Sequence, residues 1–545
     1  MLSVDPISVP GPLRPTISDA KSCQRWLAAL PLTQAASAHN EIQLQLDLLN
    51  HTSALSGIER FRIQEQLRES LAFVQSEMAK KYAGKSAPLD AAELAVWKKV
   101  IALWQTFTQA YQICLQSYQD NEQALHSFAP TLLQRIIRLT SQQMLEYFRV
   151  YQTIPEALWR QLHKTYALAE SLGMEKITVK DPLNRLVEGT RPETAYAQAL
   201  LIDLADPYRL TSRQLDLMDR WLDKWAARIN LLKKPVVPTH PDMKLPPQIV
   251  DFDRATGIQL GTTFEASASV RHLDVSPLAA TLVKRIKHLR KGGEPSDLDV
   301  GADCKQPGCE ALLYQLYQQW CEPQKPRAYE RRAGGAKAQV SFSLAAIHFY
   351  CNGGKQYRQP GDRSHSDLTW REVEDFQMFG RVSSQTQKLQ ASQTGYATEN
   401  WHIQDESALG FRLAADGMHA ARIALNQLVA IRHPQAKHFA IGQVSWVRFN
   451  EEGDLNVGIH AFPGIPMAVG IRAPVLIATL QNKFIQAFLL PEIPTLKEPA
   501  TLVLPHGWFG PNKLLELHID DTLIVRLTKI IDRGADFERV AFEVK

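Results

Sequence analysis

Apolar positions along the first 232 residues recur at helical spacing. In Gly57–Tyr82, Ile58, Phe61, Leu67, Leu71, Val74 and Met78 form one stripe, about seven turns long. The charges of Glu59–Arg62 and Glu65–Arg68 fall on its solvated face. Upstream, Ser18 or Asp19 caps a helix that turns Trp26, Leu27 and Leu30 inward. Glu41–Leu49 continues the helical reading. After the stop at Ala83-Gly84-Lys85, Pro88-Leu89-Asp90 opens a helix with Trp97, Val100, Leu103, Trp104, Phe107, Tyr111 and Cys114 on one side. Pro130–Tyr151 with Pro155–Leu172, and Arg191–Leu204 with Ser212–Leu232, read as helix pairs. Nothing recurs at a period near 34 residues, so no repeat array is inferred. Stacked helix pairs leave grooves, and a groove suits a protein partner.

Lys233–Pro247 holds five prolines and marks a boundary. Ile249–Val270 reads as two short strands around Asp253–Gly257, Ser276–Arg290 as a basic helix with Leu278, Leu282, Ile286 and Leu289 inward, and Cys309–Cys321 as a helix. The period then changes from 3.6 to 2. Strands are expected at Gln339–Tyr350, Asn426–Arg432 and the two arms of a hairpin within Gly442–Phe462, whose turn is Asn450–Asp454. Trp446 is read as interior. Further strands are expected at Val475–Thr479, Ile485–Leu490, Ala500–Leu504, Leu514–His518 and Leu523–Leu527, punctuated by prolines, as in a sandwich or a second small barrel.

The expected fold class is therefore multidomain α + β. An N-terminal all-α helix-pair domain precedes a C-terminal antiparallel β-barrel, and a further small all-β region follows. The expected segments are an extended arm over 1–17, the helical domain over 18–232, a linker with mixed connecting structure over 233–325, the barrel over 326–470 and the last β region over 471–545. Cys351–Asn400 is polar, lacks alternation and reads as an insertion in the barrel, with its Ser/Gln/Thr run near Val382–Thr394.

One stretch carries candidate chemistry. Trp401–Leu413, WHIQDESALGFRL, is a strand, a turn and a strand, with Asp405, Ser407 and Gly410 at the corner. Asp and Ser stabilise turns, and Gly lets a ligand approach the backbone. Upstream, Arg327 and Arg331 stand four apart, with Arg332 beside them. Counted back from Val340, the pair would instead be Arg332 and Ala336, with Lys337 the nearest cation. An arginine pair, a strand, D-x-S-x-x-G, then a hairpin with Gly-x-Val-x-Trp and Val-Gly-Ile resembles the PilZ domain, over about Arg327–Phe462. The resemblance implies a small β-barrel that binds cyclic di-GMP through Arg327, Arg331, Arg332, Asp405, Ser407 and Gly410.

Those residue types suit that ligand. A guanidinium forks onto phosphate and stacks on purines. A carboxylate accepts from guanine N1–H and N2–H₂, a hydroxyl donates or accepts, and glycine clears space. None of this activates a nucleophile or a water, so a binding protein is expected rather than an enzyme, without catalytic residues or cofactor. The alternative is a scaffold whose barrel no longer takes the nucleotide.

Composition narrows the partners. The chain has 545 residues and a net charge of +4, too little to favour a nucleic-acid polymer or a membrane surface. Its N-terminus does not read as a signal peptide, and no apolar run reaches the ~20 residues of a span, so no membrane insertion and a cytoplasmic location are expected. The expected partners are cyclic di-GMP and an unidentified protein bound by the helical domain. Six scattered cysteines fit a reducing compartment. Cys304, Cys309 and Cys321 lack a Cys-x-x-Cys knuckle and are read as free buried thiols, with no metal.

Overall fold

The structure is a computed structural model that describes residues 15–184, 186–235, 247–260, 267–298, 300, 304–305, 308–323, 329–360, 396, 398–415, 421–474 and 483–545. The chain divides into two compact units, one of 1–85 with 89–326 and one of 86–88 with 327–545.

The first unit carries helices α1 (Ala20–Ala29), α2 (Ala35–His51), α3 (Gly57–Ala79), α4 (Ala91–Gln119), α5 (Ala129–Arg149), α6 (Glu156–Ser171), α7 (Pro192–Leu204), α8 (Ser212–Trp225), α9 (Ser276–Arg290) and α10 (Gly308–Cys321). Their starts follow local chemistry. Asp19, Asp90 and Thr211 cap α1, α4 and α8 as full capping boxes, and Ser56 caps α3. A short hairpin, β1 (Val179–Lys180) and β2 (Gly189–Thr190), interrupts the helices. So does β3 (Asn230–Leu232), at the end of a stretch expected to be helical. It joins β4 (Gln248–Asp251), β5 (Gln259–Leu260) and β6 (Val270–Asp274) in a four-stranded sheet of order β3-β6-β4-β5.

Helix α5 lies between two cores. Leu132, Ile136 and Leu139 join one with α1–α4, while Ile137, Met144, Leu145 and Phe148 join the other with α6–α10. A helix buried nearly all round must also bury polar groups, and its charged ones are held in ion pairs. Asp181 receives Arg68 at 2.6 Å, Arg135 at 3.4 Å and the Gln134 amide at 3.2 Å. Arg138 bridges Asp219 and Asp223, and Arg149 holds Asp216 at 2.6 Å and Glu146. Cys304 and Cys309 are joined by a disulfide, with Cα atoms 5.1 Å apart. This corrects the reading of both as free thiols: the Cys309 N–H donates to the Lys305 carbonyl at 2.9 Å, which holds the two cysteines within bridging reach. Cys23, Cys114 and Cys321 are free and buried. Among the described residues no group of three or more His, Cys, Asp or Glu is placed to hold a metal.

The second unit is two antiparallel barrels. Its strands are β7 (Arg332–Ala333), β8 (Lys337–Ser341), β9 (Glu399–Ser407), β10 (Gly410–Ala415), β11 (Leu428–Arg432), β12 (Ala440–Phe449), β13 (Leu455–Ala461), β14 (Met467–Arg472), β15 (Ile485–Leu490), β16 (Thr501–Pro505), β17 (Leu514–His518), β18 (Thr522–Arg533) and β19 (Phe537–Val544). In the first barrel, β8, β9, β10, β13, β12 and β11 pair in a ring that closes back on β8, and β7 adds to β9. In the second, β14-β15-β16-β19-β18-β17 closes likewise. A closed ring leaves no long unpaired edge.

One expected strand is in large part a helix. Gln339–Tyr350 begins in β8, but Leu344–Cys351 is helix α11. Leu-Ala-Ala-Ile-His-Phe is a short run, apolar but for His348, in which period does not separate buried strand from buried helix, and alanine favours helix. Ile347 of α11 packs into a core shared by the barrels, with Leu428, Ala430, Ile441 and Phe462 from the first and Phe488, Leu490, Val503 and Phe537 from the second. Most of the expected insertion, its Ser/Gln/Thr run, the expected strand Val475–Thr479, Arg327, and much of the N-terminal arm and proline-rich boundary lie outside the described residues.

Candidate ligand-binding site

Strands β9 and β10 form a tight hairpin in which Ser407 pairs with Gly410, and the Ser407 hydroxyl lies 3.5 Å from the Gly410 carbonyl. Strict alternation would put Trp401, Ile403, Asp405 and Ser407 on one face. Trp401 and Ile403 are indeed interior. The register then slips: Ile403 faces Leu413 and Asp405 faces Arg412, which leaves Gln404 as an extra residue. Such a bulge reverses the side on which the following residues project. It puts Asp405 and Ser407 on the outside of the barrel, and Glu406 on the other side.

The same bulge is met from the neighbouring edge. The Gly334 N–H donates to the Gln404 carbonyl at 2.9 Å. A Cβ on Gly334 would stand 2.1 Å from the Ile403 carbonyl oxygen, so only glycine fits here. The Gly334-Gly335 kink lets β7 and β8 both run along β9, with Arg332 opposite Glu406 and Ala333 opposite Asp405. Arg331 is thereby carried to Asp405, and the two form an ion pair. Arg331 Nη2 also lies 4.0 Å from where a Cβ on Gly410 would stand.

Arg331, Asp405, Ser407 and Gly410 are therefore together at the outer corner of the first barrel. Arg332 is exposed but pairs in register with Glu406, on the opposite side of β9 from Asp405. The distance from Arg331 to Val340 does not keep it from the site, because β7 and β8 in succession cover that distance alongside β9.

The outer face carries residues that alternation alone did not single out. In register across it run Asp405 on β9, Arg412 on β10, Gly458 on β13 and Trp446 on β12. The adjacent row is Ser407, Gly410, His460 and Gln443. Arg412 and His460 are exposed, while Leu413, Val457 and Ile459 point into the core. Trp446, expected inside, is half-buried on this outer face. A second register slip, at Ser445 between Val444 and Trp446, turns it out. Its indole lies across Gly458, where a Cβ would stand 1.8 Å from Nε1.

Comparison with known proteins then bears on both ends of the chain. The family model described as "Cyclic-di-GMP receptor FimW, N-terminal domain" matches residues 21–236, and that described as "FimW C-terminal beta-barrel domain" matches residues 473–544. The chain is thus similar to FimW domains at both ends. Most of the helical region thereby matches one family model, and the expected last β region falls on the match to the other. The two matches flank the PilZ-like barrel with its Arg331–Asp405 corner. The curated Cyclic-di-GMP receptor FimW of Pseudomonas aeruginosa is 22% identical over 556 residues, covering 94% of this chain and 89% of that protein, so the alignment extends across the segment between them. That relative is by name a receptor, in keeping with the expectation of a binding protein rather than an enzyme. Among the described residues no helix is long and apolar enough to cross a membrane.

Proposed function

We propose that this protein is a cytoplasmic receptor for cyclic di-GMP that passes the second-messenger signal to a protein partner through its helical unit. The observation that carries the reading is the convergence of Arg331, Asp405, Ser407 and Gly410 at one corner of the first barrel, from segments 74 residues apart in sequence. The likeness to a named cyclic di-GMP receptor along nearly the whole chain supports it.

Each group has a role in the reading. Asp405 accepts from the Watson–Crick edge of one guanine. Arg331 leaves Asp405 to fork onto phosphate. Ser407 completes the polar rim, and Gly410 leaves the backbone open to the base. The helical unit offers stacked helix faces for the partner.

Calorimetric titration of the purified protein with cyclic di-GMP tests the reading, alongside Asp405→Ala, Ser407→Ala and Arg331→Ala. Binding by the wild type, weakened in the variants, supports it. No heat at high micromolar ligand would instead leave a scaffold whose barrel has lost the nucleotide. The partner part is tested by whether proteins co-purifying with the full chain change when the nucleotide is added.

A further inference from the structure

The large apolar side chains left exposed in the first unit are not evenly scattered. The long run of α1–α5 leaves three, Leu44, Phe73 and Phe128, whereas the short connection from the end of α6 to α7 leaves four, Leu172, Ile177, Leu183 and Leu186. A single exposed apolar residue needs no explanation, but a concentration of them does. Leu183 and Leu186 stand at the tip of the β1–β2 hairpin and are 37% and 42% exposed. The loop between the strands holds its own shape. The Asp181 N–H donates to the Glu188 carbonyl at 3.2 Å, and the Asn184 side-chain oxygen accepts from the Leu186 and Val187 N–H groups, each at 3.1 Å. Its root is pinned from three helices. Arg68 of α3 and Arg135 and Gln134 of α5 hold the Asp181 carboxylate. Arg135 Nη2 donates to the Lys180 carbonyl at 2.8 Å, and Asn184 Nδ2 reaches the Asp223 carbonyl of α8 at 3.4 Å. Leucines on a slack loop would fold back onto the protein, but on this loop they are held out. Ordering the tip in advance removes part of the cost of binding.

We propose that this hairpin tip is a self-association surface, which packs against the same tip of a second copy of the chain. Charge selects that occupant. Lys180 and Glu188 are both exposed, one on each arm, and Lys180 pairs with Gly189 across the hairpin. The two charges therefore flank the leucines from opposite sides. A two-fold axis through the tip and normal to the hairpin lays β1 of one copy in line with β2 of the other. Each Lys180 then approaches Glu188 of the second copy, and the leucines of both copies meet between the two ion pairs. A surface that carries both signs in this order complements itself. A bilayer is a poorer match. A fluid interface gains nothing from a pinned loop, and the exposed Glu188 opposes the attraction of Lys176 and Lys180 to anionic lipid. The loop is far smaller than the ~20 residues a side of a standard interface, so the contact is weak and depends on concentration. Nothing in it depends on the nucleotide reading.

The test is sedimentation velocity of the full chain from about 1 to about 100 μM. The wild type should move from monomer toward dimer across that range. Leu183→Ser combined with Leu186→Ser should stay monomeric. Lys180→Glu and Glu188→Lys should each weaken dimerisation by about tenfold. The two charge changes together should recover most of that loss, because the exchanged pair is complementary again. All four positions are exposed, so none of the changes empties the core, and circular dichroism with thermal melting checks each fold. The same proteins are spun with vesicles of phosphatidylcholine and phosphatidylglycerol. A wild type that stays monomeric overturns the proposal. So does a leucine variant that dimerises as well as the wild type, or a double charge exchange no better than its single changes. Pelleting with vesicles that is lost in the leucine variant would make the tip a membrane contact and overturns it too.

Discussion

Arg331 and Asp405, 74 residues apart in sequence, close an ion pair on the outer face of the first barrel, where their side chains are 28% and 25% exposed. Each satisfies the other. On the proposed reading, a nucleotide replaces this contact with two others, phosphate on the arginine and a guanine edge on the carboxylate. Half-exposed pairs are screened and contribute little to folding, so the pair is suited to being exchanged.

The first prediction separates binding from stability at this pair. Asp405→Ala and Arg331→Ala should each weaken cyclic di-GMP by about ten- to a hundredfold, the cost of a charged hydrogen bond of ~1.5–3 kcal/mol. Thermal unfolding should move by no more than a few degrees in either. In a double-mutant cycle the two losses should fail to add, because each single change also releases its partner. Additive losses would mean that the two residues act on the ligand independently.

Gly334 gives a prediction without touching the ligand. Its missing Cβ would stand 2.1 Å from the Ile403 carbonyl oxygen, and its N–H bonds the bulge residue Gln404. Gly334→Ala should push β7 off β9 and carry Arg331 away from Asp405. Affinity should fall about tenfold or more while the far-ultraviolet spectrum stays that of the wild type. Unchanged affinity would show that β7 does not position Arg331.

In the helical unit, Asp181 is 4% exposed and answers two arginines, Arg68 and Arg135. Removing the carboxylate leaves buried positive charge unmatched. Asp181→Ala should cost about 3–5 kcal/mol, read as a lower urea midpoint for the helical unit. Loss of less than about 1 kcal/mol would mean that Glu65, the other acid on Arg68 and Arg135, compensates.

His39 sets a pH dependence. Burial, and then the nearby Lys99 charge, push its imidazolium down from 6.5 to about 4. The unfolded chain binds the proton more readily, so acid favours unfolding. The contribution to stability is fully present above about 6.5 and is lost as pH falls toward about 4. His39→Leu should flatten the stability profile across that window, measured by urea midpoints from pH 4 to 7. A slope equal to that of the wild type would place the acid sensitivity elsewhere.

Much of this protein was legible along the chain. The apolar stripes of α3 and α4, the capping residues Asp19 and Asp90 and the alternation of β17 are local properties, set by side-chain period and by hydrogen bonds a few residues long. The corner residues Asp405, Ser407 and Gly410 were visible for the same reason, as a turn between two strands. Leu344–Cys351 was not legible, because a short, largely apolar run satisfies a buried helix and a buried strand equally, and only the shared core of two barrels decided between them.

The orientation of the candidate site was also beyond the sequence. Period-2 alternation runs Asp405 and Ser407 inward with Trp401 and Ile403, and Trp446 inward with Val444. Two single-residue bulges, at Gln404 and Ser445, turn them all outward. A bulge leaves no periodic mark of its own, because it is a compromise between the registers of neighbouring strands around a closed ring. The sequence by itself determined that a carboxylate and a hydroxyl stand at a glycine corner, with arginines upstream. Only the tertiary structure decided that Asp405 and Ser407 face solvent together with Arg331, and that Arg332 does not join them, since which side of a strand a residue takes depends on how its neighbours pair.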